Sequence, residues 1–303
     1  MVRFILLSGL LIIIASCAPV QLPVEKGISR QLADWRSRHI SEVEYDLDFR
    51  IPEAIDKPVT AHEVIRFCLQ TRRNGLQLDF KSDSASVSRI TCNGEAIPAV
   101  IKDEHILIEK KYLKTGRNVL ELTFTAPDQS LNRNAEFLYT LFVPDRASTA
   151  FPCFDQPDLK AQFCLSLDVP VFWQAVANGA AKQIVPSGTR RQYRFARTEP
   201  LPTYLFAFSA GKFDTISRSR KGHRYTLYHR ETDTLKVKSN VEEIFKLLFL
   251  SIDQIEAYTG SPLPFPKYDL VAVPSFQYNG MEHPGAVLYR ASSLFLEGRP
   301  TSQ

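Results

Sequence analysis

Apolar and polar residues alternate along residues 42–51, which read E-V-E-Y-D-L-D-F-R-I. Successive side chains of a β-strand point to opposite faces, so this period of two predicts a strand with one buried and one solvated face. The buried face would consist of Val43, Tyr45, Leu47, Phe49 and Ile51. The first regular element that the pattern predicts is therefore a half-buried strand.

Further short apolar segments follow, and turn residues such as Asn93-Gly94 and Thr115-Gly116 separate them. The segments that predict strands are 63–69, 76–80, 106–108, 119–124, 162–169, 175–177, 192–195 and 204–209. No amphipathic helix pattern separates these strands, which favours an antiparallel arrangement. The sequence therefore predicts a mainly β protein whose residues 41–217 form an N-terminal antiparallel β-sandwich domain.

The pattern changes in residues 218–303. Residues 223–229 predict another strand, and S-N-V-E at 239–242 has the capping-box spacing that opens a helix. Apolar residues at helical spacing then continue as far as Gly260, a residue type that commonly ends helices, and 268–273 predict a further strand. This second region is predicted to mix helix and strand.

The N-terminus has the features of a targeting segment. After the basic Arg3, an apolar run of twelve residues ends in I-A-S-C at 14–17. Such a run is shorter than the roughly 20 residues that span a bilayer, and it is typical of a signal peptide. The four residues resemble a bacterial lipobox, in which the cysteine is acylated. We predict a signal peptide over 1–16, a lipidated Cys17, and a tether over 17–40; a plain secretory signal is the alternative.

Lipidation would make the membrane a partner of the chain, because an acyl group anchors a protein that does not span the bilayer. The expected location is the bacterial cell envelope, at the outer membrane or in the periplasm. Ala18 favours the outer membrane, since some bacteria retain lipoproteins at the inner membrane through an aspartate at that position.

Charge and composition exclude several classes of function. The 303 residues carry 37 basic and 33 acidic side chains, a net charge of +4. Nucleic-acid binders usually have a strongly basic face, so no nucleic-acid partner is expected. Neither G-x-x-x-x-G-K-[ST] nor G-x-G-x-x-G occurs, so the sequence lacks the motifs of the common phosphate-binding loops.

The spacing of the cysteines does not match a zinc ribbon or a thioredoxin-like redox site. Apart from Cys17 they are Cys68, Cys92, Cys153 and Cys164, and none has C-x-x-C spacing. That spacing is what zinc ribbons and thioredoxin-like redox sites require. One disulfide and four buried thiols are both compatible with the sequence.

Three segments resemble motifs of one enzyme family. Residues 151–163 read F-P-C-F-D-Q-P-D-L-K-A-Q-F, residues 204–213 read Y-L-F-A-F-S-A-G-K-F, and residues 279–283 read N-G-M-E-H. In this order they resemble the F-P-C-F-D-E-P, Y-L-x-A-F-x-x-G-x-F and G-x-M-E-N segments of the aminopeptidase N family of zinc metallopeptidases. The resemblance implies a saddle-like β-sandwich followed by the start of an α/β thermolysin-like catalytic domain.

The resemblance also implies a substrate site at Asn279, Gly280, Met281, Glu282 and His283. In that family the motif glutamate lies at a strand edge and binds the α-ammonium of a peptide with a free N-terminus. A buried carboxylate without a cation is costly, so such a site would favour a charged amine over an internal peptide segment. Glycine would let the peptide backbone approach closely and pair as an added strand. The alternative is that Glu282 is a solvated turn residue.

The sequence departs from the family pattern at several positions. His283 replaces the motif asparagine, and Asn279 replaces the first glycine. Family members often carry a glutamine and an acid shortly before F-P-C-F-D, where this chain has Leu141 and Val143. A second clamp on the substrate amine is therefore expected to be missing.

The family's zinc ligands are not found in this sequence. They form an H-E-x-x-H helix with a downstream glutamate, whereas the six histidines here include no two that are four residues apart. No catalytic residue and no metal ligand is predicted in this chain. We expect it to represent the N-terminal portion of a longer zinc enzyme and to be inactive alone. Within 151–163, Asp155, Lys160 and Cys153 are interpreted as structural residues.

Two other functions remain open at the level of sequence. A non-catalytic β-sandwich lipoprotein could bind peptides or glycans at the cell surface. An adaptor could derive from the peptidase and lack its zinc domain. Glu282 favours the aminopeptidase, because an adaptor does not need a carboxylate that selects amines.

Overall fold

A computed structural model describes residues 22–297 of the chain. The predicted signal peptide and the predicted lipidation site, Cys17, lie outside these residues. The described helices are α1 (Arg30–His39), α2 (Thr234–Thr259) and α3 (Ala291–Leu294). None of them is both long and apolar enough to cross a membrane.

The strands of the first region are β1 (Ile40–Arg50), β2 (Val59–Leu69), β3 (Leu76–Asp79), β4 (Val87–Cys92), β5 (Glu95–Ala96), β6 (Ile101–Lys102), β7 (His105–Ile108), β8 (Gly116–Ala126), β9 (Leu131–Arg133), β10 (Phe137–Thr140), β11 (Ala161–Pro170), β12 (Gln174–Ala177), β13 (Ala181–Ser187), β14 (Arg190–Phe195) and β15 (Phe208–Gly211). Those of the second region are β16 (Asp214–Arg220), β17 (His223–His229), β18 (Lys267–Val273), β19 (Gly280–Met281) and β20 (Ala286–Arg290).

The first region is built on an eight-stranded sheet with the order β13-β14-β11-β1-β2-β8-β4-β5. Its neighbouring strands are antiparallel except β1 and β11, which pair in parallel. The alternation in β1 works as predicted, because Val43, Tyr45, Leu47 and Phe49 are all buried. The mainly β, largely antiparallel fold predicted from the sequence is thus confirmed.

Two smaller sheets complete this region, with the orders β12-β15-β10-β9 and β3-β7-β6. One continuous apolar cluster includes residues of all three sheets, such as Phe163 in β11, Phe208 in β15 and Ile106 in β7. Aromatic rings fill much of it; the rings of Phe163 and Phe206, for example, stack with centroids 4.4 Å apart. The sheets therefore share one core, as the layers of a sandwich do.

Helix α1 corrects the prediction of a tether over 17–40. Ser29 caps the helix by accepting a hydrogen bond from the Leu32 amide at 3.2 Å. Leu32, Trp35 and Arg36 are buried against the sandwich. Residues 30–39 are consequently part of the folded domain and not a free linker.

The second region contains a five-stranded sheet with the order β16-β17-β18-β20-β19. A boundary at residue 217 would cut β16, which pairs with β17 along its whole length from Asp214 to Arg220. The sheet therefore begins at Asp214, a few residues before the predicted boundary. Similarly, the predicted strand at 204–209 is wrong at its start, because Thr203–Leu205 form a 3₁₀ turn before β15.

Helix α2 begins earlier than predicted. Its N-cap is Asp233, whose carboxylate accepts hydrogen bonds from the Leu235 and Lys236 amides at 2.9 and 3.1 Å. The capping box at 239–242 is wrong, since the Ser239 hydroxyl lies inside the helix and donates to the Lys236 carbonyl. The predicted stop is confirmed: Gly260 has a φ of 65° at the C-terminal end.

Candidate functional site

The N-G-M-E-H segment lies at an outer edge of the five-stranded sheet. Gly280 and Met281 form β19, which pairs antiparallel with Tyr289 and Leu288 of β20. In the described residues no strand pairs with the other side of β19. An unpaired strand edge presents backbone N–H and C=O groups to which an extended peptide can add.

Exposed and buried residues alternate from Gly280 to His283, and only the first two of these residues lie in β19. Met281 and His283 are buried, whereas Asn279, Gly280 and Glu282 are exposed. The segment therefore has one face in the protein and one face open to a ligand, and Glu282 belongs to the open face.

Arg290 holds the loop that leads into β19. Its side chain donates hydrogen bonds to the Phe276 and Gln277 carbonyls at 3.1 and 3.0 Å. Its backbone amide donates to the Asn279 carbonyl at 3.0 Å. Arg290, the last residue of β20, thus fixes the position of the edge strand β19.

The turn after Glu282 is held by a buried lysine. Lys267 Nζ donates to the Gly285 carbonyl at 2.6 Å and lies 2.7 Å from an Asp269 carboxylate oxygen. Burial lowers the pKa of Lys267, and the Asp269 carboxylate opposes that change. This contact ties the turn to β18, the strand on the far side of β20 from β19.

His283 stands where the resembled family has asparagine. It is fully buried, and among the described residues neither ring nitrogen has a hydrogen-bond partner. Burial lowers the pKa of the imidazole to about 3, so it is neutral at physiological pH. His283 therefore acts here as an uncharged packing residue.

Glu282 is exposed, whereas strong selection of a charged amine was expected from a buried carboxylate. Within residues 22–297 its carboxylate makes no hydrogen bond or ion pair. The group is therefore both free and accessible next to the strand edge. Any selectivity it provides in this chain must come from a solvated charge.

Leu141 and Val143 occupy the positions where the family often has polar residues. Both belong to an apolar cluster that also contains Met281 and Leu288. Leu141 is buried within the cluster, and Val143 is partly buried and packs against it. The neighbourhood of Met281 is consequently apolar on the sandwich side and offers no second carboxylate at these two positions.

The residues described here do not fit a catalytic zinc site. No group of three or more His, Cys, Asp or Glu side chains within 22–297 is arranged to hold a metal ion. His223 and His229 lie at opposite ends of β17, where His229 is buried and His223 Nδ1 lies 3.3 Å from the Pro266 carbonyl. Neither is placed to share an ion with the other.

Of the residues singled out in 151–163, Asp155 and Cys153 are buried, whereas Lys160 makes no hydrogen bond or ion pair within the described residues. The Asp155 carboxylate accepts hydrogen bonds from the Ser148 amide at 2.9 Å and the Thr203 hydroxyl at 2.7 Å. Burial raises the pKa of the Cys153 thiol well above its usual value, which disfavours the nucleophilic thiolate. Lys160 is exposed. The open question about disulfides is also resolved, since Cys68, Cys92, Cys153 and Cys164 are free thiols.

Three residues near the motif were not identified from the sequence: Arg290, Lys267 and Asn178. Each contacts backbone groups of the segment 276–285 through its side chain. Of the three, only Lys267 could have been noticed in the sequence. It begins the apolar strand pattern at 267–273, and a lysine is rarely buried without a partner.

Comparison with known proteins identifies two family segments in the chain. Residues 122–205 match the peptidase M1 N-terminal domain, and residues 246–303 match the peptidase family M1 domain. The first match lies in the sandwich, and the second contains β18, β19 and β20.

Several curated proteins are similar to the chain over most of its length. Tricorn protease-interacting factor F2 of Thermoplasma acidophilum is 27% identical over 266 residues, which cover 84% of this chain and 31% of that protein. Probable aminopeptidase 1 of Sulfurisphaera tokodaii is 27% identical over 240 residues, 76% of this chain and 29% of the relative. Aminopeptidase N of Streptomyces lividans is 25% identical over 283 residues, 88% and 32% respectively.

The chain thus spans about a third of the length of each of these relatives. Both family segments occur in the order in which the three sequence motifs occur, and both contain motif residues. Together, the two family matches and these relatives support the aminopeptidase N family, peptidase family M1, as the family of the chain.

Proposed function

We propose that the chain carries the part of a metallo-aminopeptidase that recognises the free N-terminus of a peptide. The observation that supports this most directly is the exposed Glu282 carboxylate, which follows the unpaired edge strand β19. A peptide would pair with this edge through its backbone, and its α-ammonium would lie against Glu282.

The arrangement favours the first residue of a peptide for an electrostatic reason. An internal segment has a neutral amide where a free N-terminus has a positive charge, so only the latter forms an ion pair with Glu282. Leu141, Val143 and Met281 provide an apolar neighbourhood on the sandwich side. We therefore propose Asn279, Gly280, Met281, Glu282 and His283 as the substrate-binding segment, with Glu282 as the amine anchor.

The expected selectivity of this chain is modest. Exposed ion pairs contribute about 0.2–1 kcal/mol, which corresponds to a preference of up to roughly fivefold for a charged amine. Stronger selection would require additional protein surface that excludes water from Glu282. We propose zinc as the cofactor of the parent enzyme; residues 22–297 supply no ligand set for it.

Peptide titrations followed by NMR test the proposal. The wild-type chain and Glu282→Gln would each be titrated with Leu-Gly-Gly and with its N-acetyl derivative. We expect the wild type to bind the free-amine peptide more tightly, and this preference to disappear in Glu282→Gln. The preference should also shrink as salt concentration rises, because salt screens exposed charges.

Glu95→Gln is a matched control, since Glu95 is an exposed glutamate on β5 of the sandwich. It should keep the wild-type preference. An equal affinity of the wild type for both peptides, or an unchanged preference in Glu282→Gln, would contradict the amine-anchor role.

We further propose that the protein is attached to the bacterial cell envelope, at the outer membrane or in the periplasm, through an acylated Cys17. The support is the I-A-S-C segment after an apolar run, all of it outside the described residues. Intact-mass analysis of detergent-extracted protein should give a chain that begins at Cys17 and carries acyl groups. A soluble product with an unmodified Cys17 would exclude the anchor.

A further inference from the structure

We propose that Asn178, at the end of β12 in the sandwich, is the positioning residue that fixes the Glu282 turn of the second region. This inference rests on the proposed amine recognition and adds a residue that acts through Glu282 without touching the peptide. Asn178 lies about a hundred residues from the motif in sequence. Its Nδ2 group and its backbone carbonyl lie against the turn, and its Oδ1 atom binds the segment that leads into β15.

The side chain of Asn178 uses its full donor capacity. Nδ2 donates hydrogen bonds to the Pro284 carbonyl and to the Leu205 carbonyl, both at 2.9 Å. Oδ1 accepts from the Ala207 amide at 2.7 Å. Because only 7% of the residue is exposed, water cannot readily replace these bonds. One amide group thus joins the Pro284 carbonyl to two backbone groups of the segment that leads into β15.

The backbone of Asn178 also touches the turn. Gly285 lies so close to it that a Cβ on Gly285 would be 2.4 Å from the Asn178 carbonyl oxygen. Gly285 has a φ of +75°, a conformation that glycine adopts without strain. The turn therefore contacts the sandwich through both the side chain and the main chain of one residue.

These contacts lie two and three residues after Glu282. On the other side of the turn, Lys267 Nζ holds the Gly285 carbonyl. The turn is thus fixed between the sandwich and β18, and the carboxylate of Glu282 is held at the end of a short segment that cannot shift freely. Removing the Asn178 donors would release the Pro284 carbonyl and leave Lys267 as the remaining side-chain restraint.

Asn118 offers a matched control within the same domain. It is fully buried, and its Nδ2 donates to the Lys114 and Gly116 carbonyls at 2.8 Å. Its Oδ1 accepts from the Lys114 amide at 2.8 Å. The two asparagines therefore make the same kinds of bond, but Asn118 has none to the motif.

The test compares Asn178→Asp with Asn118→Asp in the 303-residue chain. Hydrogen exchange would be measured at the Ala286 amide, which donates to the His283 carbonyl, and at the Leu122 amide in β8 as a reference. We expect Asn178→Asp to speed exchange at Ala286 at least tenfold relative to Leu122, and Asn118→Asp not to do so. If Asn178→Asp does not fold, Asn178→Ser and Asn118→Ser remove the same donors without adding a charge.

Peptide selectivity then separates positioning from simple packing. The ratio of affinities for Leu-Gly-Gly and its N-acetyl form should fall toward one in Asn178→Asp, as in Glu282→Gln, and stay at the wild-type value in Asn118→Asp. Faster exchange with an unchanged ratio, or unchanged exchange at Ala286, would overturn the role of Asn178 while leaving Glu282 as the anchor. A wild-type ratio of one would instead remove the amine recognition itself, and the inference with it.

Discussion

The guanidinium of Arg36 and the carboxylate of Asp79 form a two-point ion pair inside the sandwich, with N···O distances of 2.5 and 2.8 Å. Arg36 belongs to α1 and Asp79 to β3. The same carboxylate lies 2.8 Å from His105 Nδ1 and accepts a hydrogen bond from the Asp155 amide at 2.8 Å. One buried aspartate therefore joins α1, β7 and the F-P-C-F-D segment.

Replacing Arg36 by methionine should destabilise the fold strongly. The substitution leaves Asp79 buried without its main counterion, and breaking a buried pair from one side costs about 3–5 kcal/mol. Urea denaturation of both proteins would measure the loss. Arg38→Met is the control, because Arg38 is an exposed residue of the same helix. Equal stabilities of the two variants would show that the Arg36–Asp79 pair does not anchor α1.

His105 should make stability depend on pH near neutrality. Burial alone lowers the pKa of His105, but the hydrogen bond and the charge of Asp79 outweigh it, and the net pKa is raised above 6.5. The protonated ring also donates from Nε2 toward the Glu25 and Gly27 carbonyls. Its stabilising contribution is therefore fully present below pH 6.5 and is lost as pH rises through the folded-state pKa.

His105→Gln tests this dependence through thermal melts across pH. The stability difference between wild type and variant should be largest at about pH 6 and should shrink toward pH 9. His62→Gln, at an exposed histidine of β2, is the control. A difference that grows as pH rises would contradict a stabilising protonated His105.

Glu63 should destabilise the protein at neutral pH. It is fully buried in β2 opposite Leu47 and Leu122, and neither carboxylate oxygen has a partner among the described residues. Burial raises its pKa well above 4.5, so the folded protein keeps the carboxyl neutral while the unfolded chain ionises it. This linkage favours unfolding increasingly as pH rises above 4.5, up to the folded-state pKa.

Glu63→Leu should accordingly stabilise the fold at pH 8 by about 1–3 kcal/mol, the cost of leaving a buried polar group unsatisfied. The gain should be smaller at pH 4, where both states keep Glu63 protonated. Chemical denaturation at the two pH values measures it, with Glu53→Leu at an exposed loop position as control. A loss of stability at pH 8 would mean that Glu63 is satisfied in solution.

The hydrophobic pattern was sufficient for the long strands of the sandwich and insufficient for α1. In β1 a clear period of two separates buried from solvated positions. Helix α1 instead buries the charged Arg36 beside Leu32 and Trp35, so its core-facing side does not look apolar. The partner that makes this possible, Asp79, lies 43 residues away in sequence and cannot be inferred from local spacing.

The candidate site shows the same limit. The motif residues 279–283 could be located by resemblance, and Gly280 and Met281 of this motif form the edge strand β19. Asn178 makes its contact with Pro284 across 106 residues, and no periodicity connects the two. The exposure of Glu282 also depends on which parts of the protein cover the edge of the sheet. The local pattern of apolar and polar residues does not reveal this packing.

The 303-residue chain should show no peptidase turnover and should bind no stoichiometric zinc. A catalytic zinc site needs three protein ligands around one ion and an open position for water. The sequence has no two histidines four residues apart, and residues 22–297 hold no candidate ligand cluster. Assays with aminoacyl-p-nitroanilides and metal analysis of the purified chain check this. Metal-dependent hydrolysis would show that the chain does contain a set of zinc ligands.

Gly285→Ala should destabilise the chain far more than Gly188→Ala. Both glycines have positive φ, +75° and +58°, so each alanine carries about 1–2 kcal/mol of backbone strain. At Gly188 nothing lies within 4 Å of the added Cβ, whereas at Gly285 it would meet the Asn178 carbonyl oxygen at 2.4 Å. Moving the turn away from that oxygen adds about 1–3 kcal/mol, as overpacking does.

Thermal unfolding of both variants measures this difference, and hydrogen exchange at Ala286 shows where it arises. Because the clash pushes the turn off Asn178, Gly285→Ala should also lengthen or break the bond from Asn178 Nδ2 to the Pro284 carbonyl. Exchange at Ala286 should therefore rise in Gly285→Ala and stay at the wild-type rate in Gly188→Ala. Equal losses of stability in the two variants would mean that strain alone acts, and that the turn does not press against Asn178.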